Sequence, residues 1–276
     1  MLILIATGGS GHSDLAVQLG NAFVDAVGGE AVILHVVRHE HERDQGELLL
    51  KRAQRLWAPH LPRPEIKVRV GEPAAEIVAE SREGSYRLVV VGERVQHRIL
   101  SRLLSPTAER VIAQTPCPVL VAKALTREFR NILVCDSGAD QQPLISRFTS
   151  TLPELLSAEA EVTVLHVMSQ MGAAPGVRGW QLRADAESLI EAHTPEGELL
   201  FHDLELLERS SAHSEAKVRH GRVVDEILAE TKSEAYDLVV IGTHRMEGWQ
   251  RLLLDDIARQ VIRDIQRPIL IIQQQK

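Results

Sequence analysis

Apolar residues in this chain follow two rhythms. Short unbroken runs occur at Leu2 to Ala6, Ala31 to Val37, Ile66 to Val70, Leu88 to Val91 and Val119 to Val121. Runs of that length with little polar alternation predict strands buried on both faces, as in a parallel sheet. Between them, Leu15, Ala16, Leu19, Ala22, Phe23 and Val27 recur at helical spacing. Leu48, Leu49, Ala53 and Leu56 do the same before Pro59 ends the pattern. Ser13 is placed to cap the first helix. Gly71-Glu72-Pro73 turns the third strand into a helix, with Pro73 in the first turn, where its missing N–H costs nothing. Strands alternating with helices predict an α/β fold, a doubly wound parallel sheet with right-handed crossovers.

The pattern is then written a second time. Tyr86-Arg87-Leu88-Val89-Val90-Val91-Gly92 returns as Tyr236-Asp237-Leu238-Val239-Val240-Ile241-Gly242. Ile3-Leu4-Ile5-Ala6 returns as Ile132-Leu133-Val134-Cys135, and Lys67-Val68-Arg69-Val70-Gly71 as Lys217-Val218-Arg219-His220-Gly221. Two units of this size are tandem domains rather than a solenoid. The boundaries read as 1–125 and 126–276, joined by a short linker without Gly or Pro. The second copy carries an insertion around Met171 to Gly176, followed by a short helical stretch near Leu182 to Ile190.

Composition narrows the partners. The chain of 276 residues is 44% hydrophobic but only 3% aromatic, so its cores are aliphatic. The net charge of −7 argues against non-specific nucleic-acid binding. Up to Leu125 there are 15 Lys+Arg against 14 Asp+Glu, a net of +1; beyond it 16 against 24, a net of −8. An anionic ligand is expected in the first half. Cys117 and Cys135 lie in apolar runs, which fits buried thiols in a reducing, cytoplasmic setting better than a disulfide. The opening apolar run is too short for a membrane span, so no membrane partner is expected.

Val68-Arg69-Val70-Gly71-Glu72-Pro73, together with Leu88 to Gly92 leading through Leu103-Leu104 to Cys117-Pro118-Val119-Leu120-Val121, resembles the universal stress protein family in its tandem form. The resemblance covers nearly the whole chain. It implies a five-stranded parallel sheet of order 3-2-1-4-5 in each copy, related by a pseudo-twofold axis. It also implies fifth strands that meet within the chain, with other proteins or a second copy, as a homodimer, for partners. Many members bind adenine nucleotides, so ATP, ADP or AMP are the expected ligands.

The family's phosphate motif keeps Gly92 and Gly242, but has Val95, Ser105 and Pro106 at its other places in copy one and Arg245, Asp255 and Asp256 in copy two. The family aspartate at the end of the first strand aligns with Gly8 and Ser137. Copy one nevertheless offers a glycine-rich turn, Gly8-Gly9-Ser10-Gly11, that could form an anion nest beside a helix start, or simply a tight turn. Its nucleotide site is therefore assigned to Gly8, Gly9, Ser10, Gly92, Ser105 and Thr107 around the phosphates, with Arg94 and Arg98 supplying charge and Val36 beside the base. Asp255-Asp256 would cap a helix where a phosphate should sit, leaving copy two degenerate. No catalytic set has defensible spacing. His39 and His41 have no Cys or carboxylate cluster at metal-ligand spacing. Asp136, Asp140, Asp255 and Asp256 could approach one another and hold Mg²⁺, but no metal is expected, and His35 with His166 marks a repeated core position. The expected function is a regulatory, stress-associated protein without turnover. The alternatives are a slow ATP hydrolase similar to nucleotide alpha-hydrolases and a ligand-free interaction scaffold.

Overall fold

A computed structural model describes residues 1–9, 11–93, 105–137, 142–169, 179–243 and 256–274. The first copy runs β1 (Leu2–Ala6), α1 (Gly11–Val27), β2 (Glu30–Val37), α2 (Arg43–Gln54), β3 (Glu65–Val70), α3 (Pro73–Glu83), β4 (Leu88–Gly92), α4 (Pro106–Gln114) and β5 (Val119–Ala122). The second runs β6 (Asn131–Cys135), α5 (Leu144–Thr151), β7 (Glu161–Met168), α6 (Ala186–Glu191), α7 (Pro195–Glu208), β8 (His213–His220), α8 (Val223–Ser233), β9 (Leu238–Thr243), α9 (Asp256–Asp264) and β10 (Ile269–Gln273). The helical stretch read near Leu182 to Ile190 resolves into a 3-10 turn, Gln181–Arg183, followed by α6.

The chain forms two compact units. One is built on Met1–Glu128 and takes in β10; the other is built on Phe129–Gly242 and α9. In the first unit the strands lie in the order β3-β2-β1-β4-β5, all parallel, as expected. Strand β10 then pairs with β5 antiparallel, Ile269 opposite Val121 and Ile271 opposite Val119. Gln273 fastens it further: its Nε2 donates to the Ile112 carbonyl at 2.8 Å. In the second unit the order is β8-β7-β6-β9, again parallel, which repeats the first four strands of copy one. Both cores are mainly aliphatic, with a fully buried phenylalanine in each, Phe23 and Phe148. Ile3, Leu4, Ile5, Leu88, Val89 and Val90 are fully buried in one, and Ile132, Leu133, Val134, Leu238, Val239 and Val240 in the other.

One polar network is also repeated. In the first unit Glu80 of α3, 1% exposed, accepts from Lys67 Nζ at 2.7 Å, Arg69 Nη1 at 2.9 Å and the Tyr86 hydroxyl at 2.7 Å. In the second, Glu230 of α8 accepts from Lys217, Arg219 and Tyr236. Burial alone would raise the Glu80 carboxyl, but Lys67, Tyr86 and Arg69 outweigh it and hold it below the ordinary range. Each carboxylate thus ties the strand at its sheet's β3 or β8 edge to the helix that follows. Gly71 and Gly221 make this possible. Their φ angles are +152° and +155°, and a Cβ on either would come within 2.7 or 2.6 Å of Glu76 or Glu226, the partners of Arg69 and Arg219.

The expected cap at Ser13 is corrected. Helix α1 already begins at Gly11, so Ser13 lies inside its first turn. The reason is the turn itself: Gly9, at φ +76°, reverses the chain directly after β1.

Candidate functional site

Brought together at the carboxyl ends of β2, β1 and β4 are Val36, Gly8, Gly9 and Gly92. These strands are neighbours, with Ala6 opposite Leu34 on one side and Val91 on the other. Gly8 and Gly9 are exposed, and Val36 and Gly92 half-buried. Gly9 suits its positive φ, and a Cβ there would sit 2.0 Å from Leu49 Cδ1 of α2, so that the leucine side chain would have to turn aside. Its N–H donates to Thr7 Oγ1 at 3.4 Å. The Thr7 carbonyl accepts from His35 Nδ1 at 2.7 Å, which fixes the proton on that nitrogen. His166 repeats the contact with the Asp136 carbonyl at 3.2 Å, so this histidine pair holds the turn after the central strand.

Ser105 is the N-cap of α4. Its Oγ accepts from the Ala108 N–H at 3.1 Å, Pro106 fills the first helical position, and Thr107 follows half-buried. The cap itself is neutral; the acidic residue of the first turn, Glu109, lies four positions further on. Ser10, Arg94 and Arg98 lie outside the described residues, as do Val95, Asp140, Arg245 and Asp255.

The second unit carries carboxylates at the corresponding end. The residue after β6 is Asp136, in the place that Thr7 takes after β1. It is 5% exposed, and its Oδ2 accepts from the Leu144 N–H at 2.8 Å, at the start of α5. Ser137, where the family aspartate was expected, is one residue further on. Asp203 of α7 is fully buried, with neither oxygen hydrogen-bonded among the described residues. At α9 the first residue is Asp256, whose exposed carboxylate pairs with Arg259 at 3.5 Å.

The Usp profile, the universal stress protein family, matches this sequence twice, over residues 1–123 and 128–273. The chain belongs to the universal stress protein family. It is 29% identical over 133 residues to the universal stress protein in QAH/OAS sulfhydrylase 3'region of Thermus aquaticus, which covers 44% of this chain and 97% of that relative. Among solved structures it is similar to a universal stress protein from Archaeoglobus fulgidus DSM 4304, with TM-score 0.72, 17% identity and 99% and 98% of the two chains covered. A functionally unknown protein from Pseudomonas aeruginosa PAO1 gives TM-score 0.66 at 16% identity, covering 99% of this chain and 92% of that one. These two likenesses concern the fold.

This universal stress protein also has site residues that spacing did not single out. Glu93 directly follows Gly92, and its Oε1 lies 3.1 Å from Lys123 Nζ at the end of β5; the two side chains are 12% and 2% exposed. Copy two has Thr243 and Gln273 in these places. A buried ion pair beside Gly92 therefore belongs to copy one only. Two charges far apart in sequence gave no signal, because only the pairing of β4 with β5 brings them together. Asp203 did leave one: it shares its helical face with Gly197, Leu200 and Leu207, all buried. Among the described residues no group of three or more His, Cys, Asp or Glu could hold a metal ion, and His39 and His41 stack ring on ring. Burial pushes the Cys117 thiol up to about 12 and raises that of Cys135 further, so neither is a thiolate nucleophile near neutrality. No helix of the described residues is long and apolar enough to cross a membrane.

Proposed function

We propose that this universal stress protein is a cytoplasmic regulatory protein without turnover that binds ATP, ADP or AMP in its first unit and not in its second. The observation that carries this reading is the contrast after the central strands. Thr7, neutral, stands in the first unit where the second has Asp136, buried and ionisable. The neutral Ser105 cap supports the same direction. Phosphates would lie against Gly8, Gly9, Gly92 and the α4 N-terminus, with Thr107 at their side and Val36 beside the base. Arg94, Arg98 and Ser10 complete the proposed set from the sequence. Occupancy would be passed to a partner protein or a second copy of the chain.

The test is calorimetry on the full-length protein with each nucleotide, repeated on Ser105→Asp. Aspartate caps a helix as well as serine, so thermal stability should be retained. A carboxylate about 4 Å from a phosphate costs on the order of 1 kcal/mol even in water, and more when desolvated. Affinity should therefore fall at least about fivefold. Unchanged affinity would move the site elsewhere. Absence of binding by all three nucleotides in the wild type would favour the scaffold, and sustained release of phosphate from labelled ATP would favour the hydrolase.

A further inference from the structure

Asp203 lies mid-way along α7, turned into the second unit. It is 0% exposed, and among the described residues neither carboxyl oxygen has a hydrogen-bond partner. An ionised carboxylate there would lose its hydration with nothing in return. Helix α7 packs against α5, α6, β7 and β8. The titratable or charged side chains that these elements turn inward are Arg147 on α5, His166 on β7 and His220 on β8. His166 donates through Nδ1 to the Asp136 carbonyl, and His220 through Nε2 to the Ala184 carbonyl, its buried Nδ1 bonding no described residue. Lys217 and Arg219 of β8 are spent on the acidic side chains of α8. Helix α6 adds only Glu187 and Glu191, both exposed. None of these groups hydrogen-bonds Asp203, and among the described residues the charge that acts on it, Asp136, has the same sign.

We infer that Asp203 is held as the neutral acid in the folded second unit, and that its ionisation loosens α7 from α5 and α6, making a proton-operated catch. Burial first, and the Asp136 carboxylate second, push the Asp203 carboxyl up to about 8. The catch thus releases at the alkaline edge of the neutral range. Asp136 also caps α5, so release of α7 acts directly on the end of β6. This inference does not depend on nucleotide binding by the first unit.

The sign follows from linkage. An aspartate in the unfolded chain ionises near pH 3.9. Between about pH 4 and about pH 8 the folded unit holds a proton that the unfolded chain has lost. Its folding equilibrium therefore weakens about tenfold per pH unit across that window and levels off above it. The experiment compares amide exchange of α7 in the full-length wild type, Asp203→Asn and Asp203→Leu at matched pH, which cancels the intrinsic pH dependence of exchange. The ratio of variant to wild-type protection should rise about tenfold per pH unit from about pH 5 to about pH 8 and then level. A ratio that is flat with pH overturns the inference. Should neither variant fold, infrared difference spectra of the wild type decide. The carbonyl band of a buried carboxylic acid must be present near neutrality and absent once the pH is taken well past about 8. Its absence near neutrality overturns the proposal.

Discussion

The two units share a frame and differ in the charge placed at its end. After β1 the chain continues through Thr7 and two exposed glycines; after β6 it continues through buried Asp136. The sheets, the histidine that holds the turn, and the Glu80 and Glu230 networks are the same in both. The frame is thus conserved within one chain while the polarity of its carboxyl end is not. In open parallel sheets ligands sit beyond the carboxyl ends of the strands; under the proposed function, the first residue there, Thr7 or Asp136, decides whether a phosphate is tolerated.

The largest expected effect tests whether the frame really is equivalent. Glu80→Ala and Glu230→Ala each remove the buried carboxylate shared by an arginine, a lysine and a tyrosine, leaving the buried tyrosine hydroxyl without that acceptor and the arginine with its second partner, Glu76 or Glu226. Each should cost its own unit about 3 kcal/mol in denaturant unfolding. A cost below about 1 kcal/mol in one unit alone would show that the repeated geometry does different work in the two copies. A smaller effect is expected from moving the polarity of copy two into copy one. Thr7→Asp puts a carboxylate at a 5% exposed position. Helix α1 begins at Gly11, only four residues on, whereas α5 begins eight residues after Asp136 and supplies the Leu144 amide. Without such a donor the new carboxylate should cost about 2 kcal/mol and remove nucleotide binding by the first unit, read by calorimetry. The smallest effect concerns the side chain that replaces Lys123 in copy two. Gln273→Leu removes the bond to the Ile112 carbonyl and should cost about 1 kcal/mol in thermal unfolding of the first unit.

Much of this frame was legible in the sequence because it depends on local pattern. Unbroken runs of Val, Ile and Leu marked the strands, and their repetition marked two copies. Gly71 and Gly221 announced turns that the backbone angles require. Gly9 was legible as a turn residue, but not as the position where Leu49 packs, since that contact spans α2 and the end of β1. Ser13 misled because a serine two residues inside a helix has the same sequence signature as one at its cap. Glu93 and Lys123 stayed hidden, as strand pairing alone unites them. Asp203 broke the apolar face of its helix, and an aspartate at a core position was the sign of something other than packing.

The pairing of β10 with β5 has a consequence for the chain as it is made. Strand β5 leaves the ribosome early, and Ile269–Gln273, which cover its edge, are synthesised only after the whole second unit. Throughout that interval the nascent first unit presents an apolar strand edge of Val119, Leu120 and Val121 with its outer amides and carbonyls unpaired. Such an edge recruits strands from neighbouring chains. On polysomes carrying many copies, the risk is that β10 of one nascent chain closes on β5 of another. Slowing translation of the second half would lengthen this exposure and raise the yield of exchanged dimers, whereas faster translation would favour closure within one chain.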